Sequence, residues 1–321
     1  MRLMAESTRY SIGVDLGGTN LRAAAITEEG RELGKITGLT NLKEGREAVI
    51  EDIVRAIRSL RDAHGADRLA GVGVAVPGFI EIRKGLIVGS NNLPQFEGFP
   101  VRDDISGRLG TPILLENDAN AAAMGEKWLG AGRDTGSLIL LTLGTGIGGG
   151  IIMDGRIIHG ENGMAGEFGH MTVIPTGNPC GCGNNGCLEK HASATAITAM
   201  ARLLRLGENL SAARVFEIAA GEGENAEKAR HIFENMGVAL GIAIGNLINI
   251  FNAPLYLLSG GPLPAWDLFA PAMLAEVRRR SFTYRNARTR IEKAVLGNEA
   301  GLYGAARLPF LELPEYAPAL S

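Results

Sequence analysis

The chain has 321 residues, 45% of them hydrophobic, and a formal net charge of −3. A chain of this length and apolar share buries a large core and suffices for about two domains, while the near-neutral balance offers no basic footprint for nucleic acid. Its three cysteines all fall within residues 180–187, which points to metal or thiol chemistry rather than a disulfide framework.

Residues 1–10 carry charges and no long apolar run, so no secretory leader is expected and the cytoplasm is the default location. Tyr10 to Leu16 reads as a strand, Gly17-Gly18-Thr19-Asn20 as a tight turn and Leu21 to Thr27 as a second strand. The N–H groups of a glycine turn can cradle phosphate, and Asp15 and Thr19 flank this one; an acidic residue near a phosphate loop is a candidate Mg²⁺ holder. Taken alone, an ordinary glycine hairpin explains the turn equally well.

Glu44 to His64 is an amphipathic helix with Val49, Ile53, Ile57 and Leu60 on one face and Gly65 past its end. Leu69 to Val76 is an apolar run expected as a strand buried on both faces, which delivers Gly78 to the ligand side of a sheet. Asn91 and Asn92 follow in a loop, as turn formers first and hydroxyl ligands second. Val101 to Leu109 is a short helix stopped by Gly110.

Thr111 to Leu115 reads as a buried strand and Ala119 to Leu129 as an alanine-rich helix closed by Gly130. Asp118 therefore lies beyond the carboxyl end of a strand, where open α/β sheets place their ligands. Asp is also a favoured N-cap, so its position alone does not make it a base.

Ser137 to Leu143 is a strand, followed by Gly144-Thr145-Gly146-Ile147-Gly148-Gly149-Gly150 and a second strand from Ile151 to Asp154. Gly144 to Gly149 matches G-x-G-x-x-G, but a dinucleotide fingerprint must open a helix, and no P-loop signature occurs. The pattern instead echoes the first hairpin. Two halves that each open with strand, glycine turn and strand suggest a duplicated fold holding a nucleotide phosphate on its turns.

Glu167 and His170 are three apart and would share a face of a helical turn. Pro175 to Cys187 has almost nothing apolar to bury, so it needs an external tie; His170 with Cys180, Cys182 and Cys187 makes the Cys₃His set of a closed zinc site, with free thiols or a redox pair as the alternative. Glu189 opens the next helix, where a carboxylate is favoured by the dipole in any case.

Ser211 caps a helix through Ala220, and Glu224 to Phe251 is a long one. Asn235 to Trp266 carries no charge, and Gly237, Gly241 and Gly245 are spaced four apart, as in a membrane helix. Asn246, Asn249, Asn252 and Pro254 interrupt the run, so a buried helix with a close-packing glycine stripe is expected instead of a span. Leu255 to Ser259 is a strand delivering Gly260-Gly261, which suits either the close approach of a flat adenosine or a plain turn. Trp266 to Arg280 and Glu299 to Leu308 are helical, and the tail beyond Pro309 is expected to fray.

Five stretches together resemble the ROK family (repressor, ORF, kinase) of sugar kinases, most closely its bacterial glucokinases, from about Ile12 to Ala306. They are Val14 to Asn20, Glu116 to Asn120, Leu143 to Gly150, Gly166 to His170, and Cys180 to Glu189. The first three are shared across the actin, Hsp70 and hexokinase superfamily; the last two are specific to the family. The resemblance implies an α/β, duplicated actin/hexokinase-like (ribonuclease H-like) fold with two domains around an active-site cleft. The expected division is a small N-terminal domain, 1–117, rejoined by a C-terminal helix within 299–321, and a large domain, 118–298, that carries the zinc loop.

It further implies that Asn117, Asp118, Glu167, His170 and Glu189 hold sugar hydroxyls, with Gly78 and Asn92 as further partners. ATP and Mg²⁺ would lie on Asp15, Gly17, Gly18, Thr19, Asn20, Gly144, Thr145 and Gly146, and adenosine near Gly260 and Gly261. A structural Zn²⁺ would sit on His170, Cys180, Cys182 and Cys187, and Asp118 would be the base for the glucose 6-hydroxyl. Fructose, N-acetylmannosamine and N-acetylglucosamine kinases use much the same residues, and loops such as Gly85 to Pro100 would set the choice. A homodimer is the family's common habit. Its repressors carry a helix-turn-helix ahead of the first glycine turn, where only about ten residues stand here, so no DNA partner is expected.

Overall fold

The computed structural model describes residues 8–311. β1 (Tyr10–Leu16) and β2 (Asn20–Thr27) form the first hairpin, with Leu16 opposite Leu21, and β3 (Glu32–Leu39) adds to it antiparallel. After α1 (Arg46–His64), β4 (Leu69–Val76) returns parallel to β1. A ribbon of β5 (Phe79–Glu81) and β6 (Leu86–Gly89) leads to α2 (Val101–Leu109), then β7 (Ile113–Asn117), parallel to β4, and α3 (Asp118–Trp128).

The second hairpin is β8 (Leu138–Leu143) and β9 (Ile147–Met153), followed by β10 (Arg156–Ile157). Next come α4 (Glu189–Ala192), α5 (Ala194–Leu203), α6 (Ala212–Ala219), α7 (Glu224–Phe251), β11 (Leu255–Gly260), α8 (Trp266–Arg280), β12 (Arg290–Lys293) and α9 (Ala300–Arg307). The two five-stranded sheets run β3-β2-β1-β4-β7 and β10-β9-β8-β11-β12. Position by position the order is the same, two hairpin strands outside the first and two parallel crossovers beyond it, which is the duplication expected from the paired glycine turns.

The chain divides into two compact units: one runs up to Asp134 and takes in Gly155–Ala165 and the segment from Asn298, the other is Thr135–Asp154 with Gly166–Gly297. α3 thus belongs to the first unit, not to the start of the second domain as expected from a boundary at 117/118. The cause is α9, against which α3 packs without room for a side chain: a Cβ on Gly304 would lie 1.6 Å from the Ala121 carbonyl oxygen, and one on Gly125 2.1 Å from that of Ala300. The opposite face of the first sheet carries the main core, where Ile12, Val14 and Leu16 meet Ile50, Ile53 and Ile57 of α1.

Several elements depart from expectation. Gly148, Gly149 and Gly150 are strand residues of β9, not part of the turn, paired with Thr142, Leu141 and Leu140 of β8; Gly149 is glycine for a packing reason, since a Cβ there would strike the Phe168 ring at 2.2 Å and the Gly166 carbonyl at 2.6 Å. α1 begins at Arg46, two residues late, since Gly45 (φ 91°) breaks it from a 3₁₀ turn over Leu42–Glu44. Phe310, expected to fray, lies in a closing 3₁₀ turn over Leu308–Phe310, with its ring 6.5 Å from that of Trp128. The rest of that tail, 312–321, and residues 1–7 lie outside the described residues.

α7 is long and apolar enough to cross a membrane, yet 67% of its apolar window is buried within the protein. Its glycine stripe lies on α8: a Cβ on Gly237 would meet the Phe269 carbonyl oxygen at 2.2 Å and one on Gly241 that of Met273 at 2.5 Å, whereas Gly245 has ordinary room. Gly237→Val is therefore expected to destabilise the protein by about 1–3 kcal/mol through overpacking, and Gly245→Ala by far less. Urea unfolding of the two variants checks this; equal midpoints would remove the close approach as a determinant of stability.

Candidate active site

In the first unit the candidate residues gather at the carboxyl ends of β1, β4 and β7. The N-cap of α3 is Asn117, not Asp118: its Oδ1 accepts from the backbone N–H groups of Ala119 (2.9 Å) and Asn120 (3.1 Å), and its Nδ2 donates to the Gly78 carbonyl at 3.0 Å. The Asn117 oxygen is thus committed to the helix. Asp118 becomes the first helical residue, half-buried, with its Oδ1 accepting from the Ala119 N–H at 2.9 Å. Gly78 has φ 117°, and a Cβ there would meet the Gly89 carbonyl oxygen at 2.4 Å, so this turn requires glycine.

The Gly17-Gly18-Thr19 turn is closed by the Gly17 N–H to the Asn20 carbonyl (2.9 Å), and its Gly17 and Thr19 carbonyls are tied back to Thr40. Asn92 backs this turn, 3.5 Å from where a Gly18 Cβ would stand, so a candidate sugar ligand and a candidate phosphate cradle adjoin. Burial pushes the Asp15 carboxyl above its usual range, and the Arg22 guanidinium 3.2 Å away pulls it back. Sequence reading passed over Arg22, although Asp15 and Arg22 face each other across the β1–β2 ladder.

In the second unit the Gly144-Thr145-Gly146 turn is held by the start of α5, where the Ala194 N–H donates to the Gly144 carbonyl (2.9 Å) and the Thr195 hydroxyl to that of Thr145 (2.7 Å). Gly260 and Gly261 adjoin this turn: the Gly261 N–H donates to the Leu143 carbonyl at 3.1 Å, and Gly260, at φ 109°, has no space for a Cβ. Beside Gly261 lies an apolar cavity of about 50 Å³ lined by Phe216, Phe233, Pro262 and Pro264. Its phenylalanines come from α6 and α7, whose pattern read only as core.

Glu167 and His170 end on one short 3₁₀ turn with Oε2 and Nε2 4.0 Å apart. Burial raises the Glu167 carboxyl above its ordinary range, and His170 opposes the rise. Glu189 reaches the same neighbourhood from α4, with Oε1 3.1 Å from Lys190 Nζ and Oε2 3.0 Å from where a Gly146 Cβ would be. Thr19, Asn20 and Thr145 show no side-chain geometry that marks them beyond their turns.

The ligand atoms of His170, Cys180, Cys182 and Cys187 all lie within 4.8 Å of one another, with His170 Nδ1 3.7 Å from Cys180 Sγ and Cys182 Sγ 3.6 Å from Cys187 Sγ. Tetrahedral zinc with Zn–S bonds of about 2.3 Å needs sulfurs about 3.8 Å apart, so the set fits. Its chemistry fits as well. The Asn184 N–H lowers the Cys182 thiol to about 7, whereas burial pushes Cys187 up to about 12, and a dication at the centre is what makes three adjacent thiolates tolerable. With Nδ1 turned to the cysteines, His170 keeps Nε2 on the Glu167 side.

A sequence profile described as the ROK family matches residues 11–310. A glucokinase of Halalkalibacterium halodurans is 37% identical over 94% of this chain and 95% of its own length. The crystal structure of a ROK hexokinase from Thermus thermophilus matches with a TM-score of 0.83 at 35% identity, covering 92% of this chain and 96% of that one. That of a ROK family glucokinase from Streptomyces griseus in complex with glucose and AMPPNP matches with a TM-score of 0.74 at 31% identity, covering 93% and 98%. The chain belongs to the ROK family.

Proposed function

We propose that the chain is an ATP-dependent glucokinase, transferring the γ-phosphate of ATP to the 6-hydroxyl of glucose with Asp118 as general base. Sugar kinase is its class, supported by its full-length likeness to glucokinases and to a ROK hexokinase. The observation that carries the base assignment is the Asn117–Asp118 turn: Asn117 supplies the cap, which leaves Asp118 as the first helical residue, half-buried beyond the carboxyl end of β7.

The chemistry suits the residue types. Asn117, Glu167, Glu189 and His170 Nε2 bind sugar hydroxyls, with Gly78 and Asn92 completing the set in this reading; carboxylates accept from neighbouring hydroxyls, and a metal-bound His has a settled tautomer. The turns at Gly17–Asn20 and Gly144–Gly146 would hold the phosphates with Asp15 toward Mg²⁺, and the apolar cavity beside Gly261 would take the adenine face. A helix N-terminus favours the ionised form of Asp118 and makes it a weak base. That is sufficient, because phosphoryl transfer is mostly positioning and charge neutralisation, and the proton leaves late. Zinc, bound as above, is structural: it anchors the loop that carries His170 and Glu189. The reading includes a homodimer and a cytoplasmic location, where ATP and reduced thiols coexist.

A coupled Mg-ATP assay across glucose, mannose, fructose, N-acetylglucosamine and N-acetylmannosamine tests it. Glucose is expected to give the highest kcat/KM. A preference for another sugar keeps the mechanism and changes the substrate; no turnover on any would move a sugar-sensing role to the front.

A further inference from the structure

Glu116, the penultimate residue of β7, is fully buried and has no place in the chemistry above. Its Oε1 accepts from the Asn117 backbone N–H at 2.8 Å and from Asn120 Nδ2 at 3.1 Å, and its Oε2 lies 2.7 Å from Nε2 of His159, whose side chain is only 10% exposed. Three donors from three places thus converge on one carboxylate: the end of the strand, the first turn of α3, and the segment Gly155–Ala165.

Each end of this connection is itself braced. His159 sits in a tight loop that its own carbonyl closes by accepting from the Ala165 N–H at 2.9 Å, and Gly163 fits only as glycine, 2.3 Å from Cβ position to the Ile80 carbonyl oxygen. Asn120, 2% exposed, gives its amide N–H to Glu116, while its Oδ1 finds no hydrogen-bond partner among the described residues. A buried polar network of this kind is a poor source of stability compared with apolar packing, and one left incomplete is poorer still. Local rules are broken in this way where a site needs geometry more than stability.

What the network holds is the turn that aims Asp118. Glu116 fixes the Asn117 N–H, Asn117 then caps α3, and Asp118 follows as the first helical residue. We propose that the buried Glu116–His159 pair is the positioning device for Asp118, and that His159 is a positioning residue for phosphoryl transfer, acting through Glu116 without touching substrate. The proposal rests on the reading of Asp118 as base.

The test compares His159→Ala, His159→Phe and His159→Gln, assayed for kcat, for the KM of glucose and of Mg-ATP, and for Tm. Gln can present an amide N–H where Nε2 stood; Phe fills the space and donates nothing. Misplacing a catalytic group by about 1 Å costs on the order of 10²-fold, so Ala and Phe are expected to lower kcat by about 10- to 100-fold with the KM for Mg-ATP within about threefold. Gln is expected to restore kcat to within about threefold of the parent. In an Asp118→Asn background, His159→Phe should lower kcat by no more than about twofold, because the group it positions is gone.

A wild-type kcat in His159→Phe, or an equal loss in Gln and Phe, would overturn the proposal. So would a full additional loss on top of Asp118→Asn. Failure of the underlying assignment reads out separately: Asp118→Asn alone would then keep its turnover, and the positioning role would fall with it.

Discussion

Asp118→Asn is expected to lower kcat by about 10²- to 10⁴-fold while the KM for glucose changes little. Asparagine keeps the volume and the side-chain oxygen that accepts the Ala119 N–H, so the first turn of α3 persists. The cap is also unaffected, since Asn117 supplies it. What is removed is the ability to accept a proton from the attacking hydroxyl, an interaction realised only on the way to the transition state. Steady-state kinetics on the purified variant checks it, and undiminished turnover would take Asp118 out of the mechanism.

Removing the metal is expected to abolish glucose turnover and lower Tm, and Cys187→Ala to do the same without a chelator. The loop from Ile174 to Gly186 is mostly exposed and has almost no apolar side chains of its own to bury, so an ordered arrangement must be held by its ligands. The free energy of structural zinc binding is of order 10 kcal/mol or more in small zinc domains. Released, the loop would leave His170 and Glu189 with nothing to orient them. The expected result is about one zinc per chain by elemental analysis, turnover per chain falling in proportion to the zinc removed while the KM for glucose stays unchanged in partly depleted protein, and recovery on adding zinc back. Full activity in protein shown to be metal-free would sink the structural role.

The features legible in the sequence were those whose signal is local. The two hairpins, the buried β4 run, α7 and the Cys₃His spacing each announce themselves within a few dozen residues, and α7 runs over the expected Glu224–Phe251. β3 and β12 were not foreseen: both are edge strands with charged, partly exposed residues, so they lack the alternation that marks a half-buried strand. Three glycines from Gly148 to Gly150 suggest a turn, whereas at Gly149 the reason for glycine is Phe168 and Gly166, some twenty residues away. The exchange of roles between Asn117 and Asp118 was equally hidden. Either residue can cap, and the one that does, Asn117, is also tied by its side-chain N–H to the carbonyl of Gly78, in the turn between β4 and β5. Arg22 had a signal in its register opposite Asp15; His159 had none, being one of five histidines in the chain and marked only by a carboxylate brought to it by folding.

α9 has a consequence for how the chain acquires its structure. The first sheet receives one of its covering helices from residues 300–307, and Gly13 and Gly73 press directly on the Leu302 and Ala305 carbonyls. Those contacts close loops of more than two hundred residues, whereas the second unit draws its strands and helices from Thr135–Asp154 and Gly166–Gly297. During vectorial synthesis the second unit has its whole sequence available while the first still shows an uncovered apolar face on Ala24, Ile26 and Ala75. The unit translated first is therefore the one completed last, and the interval between them is when the nascent chain most needs protection from aggregation.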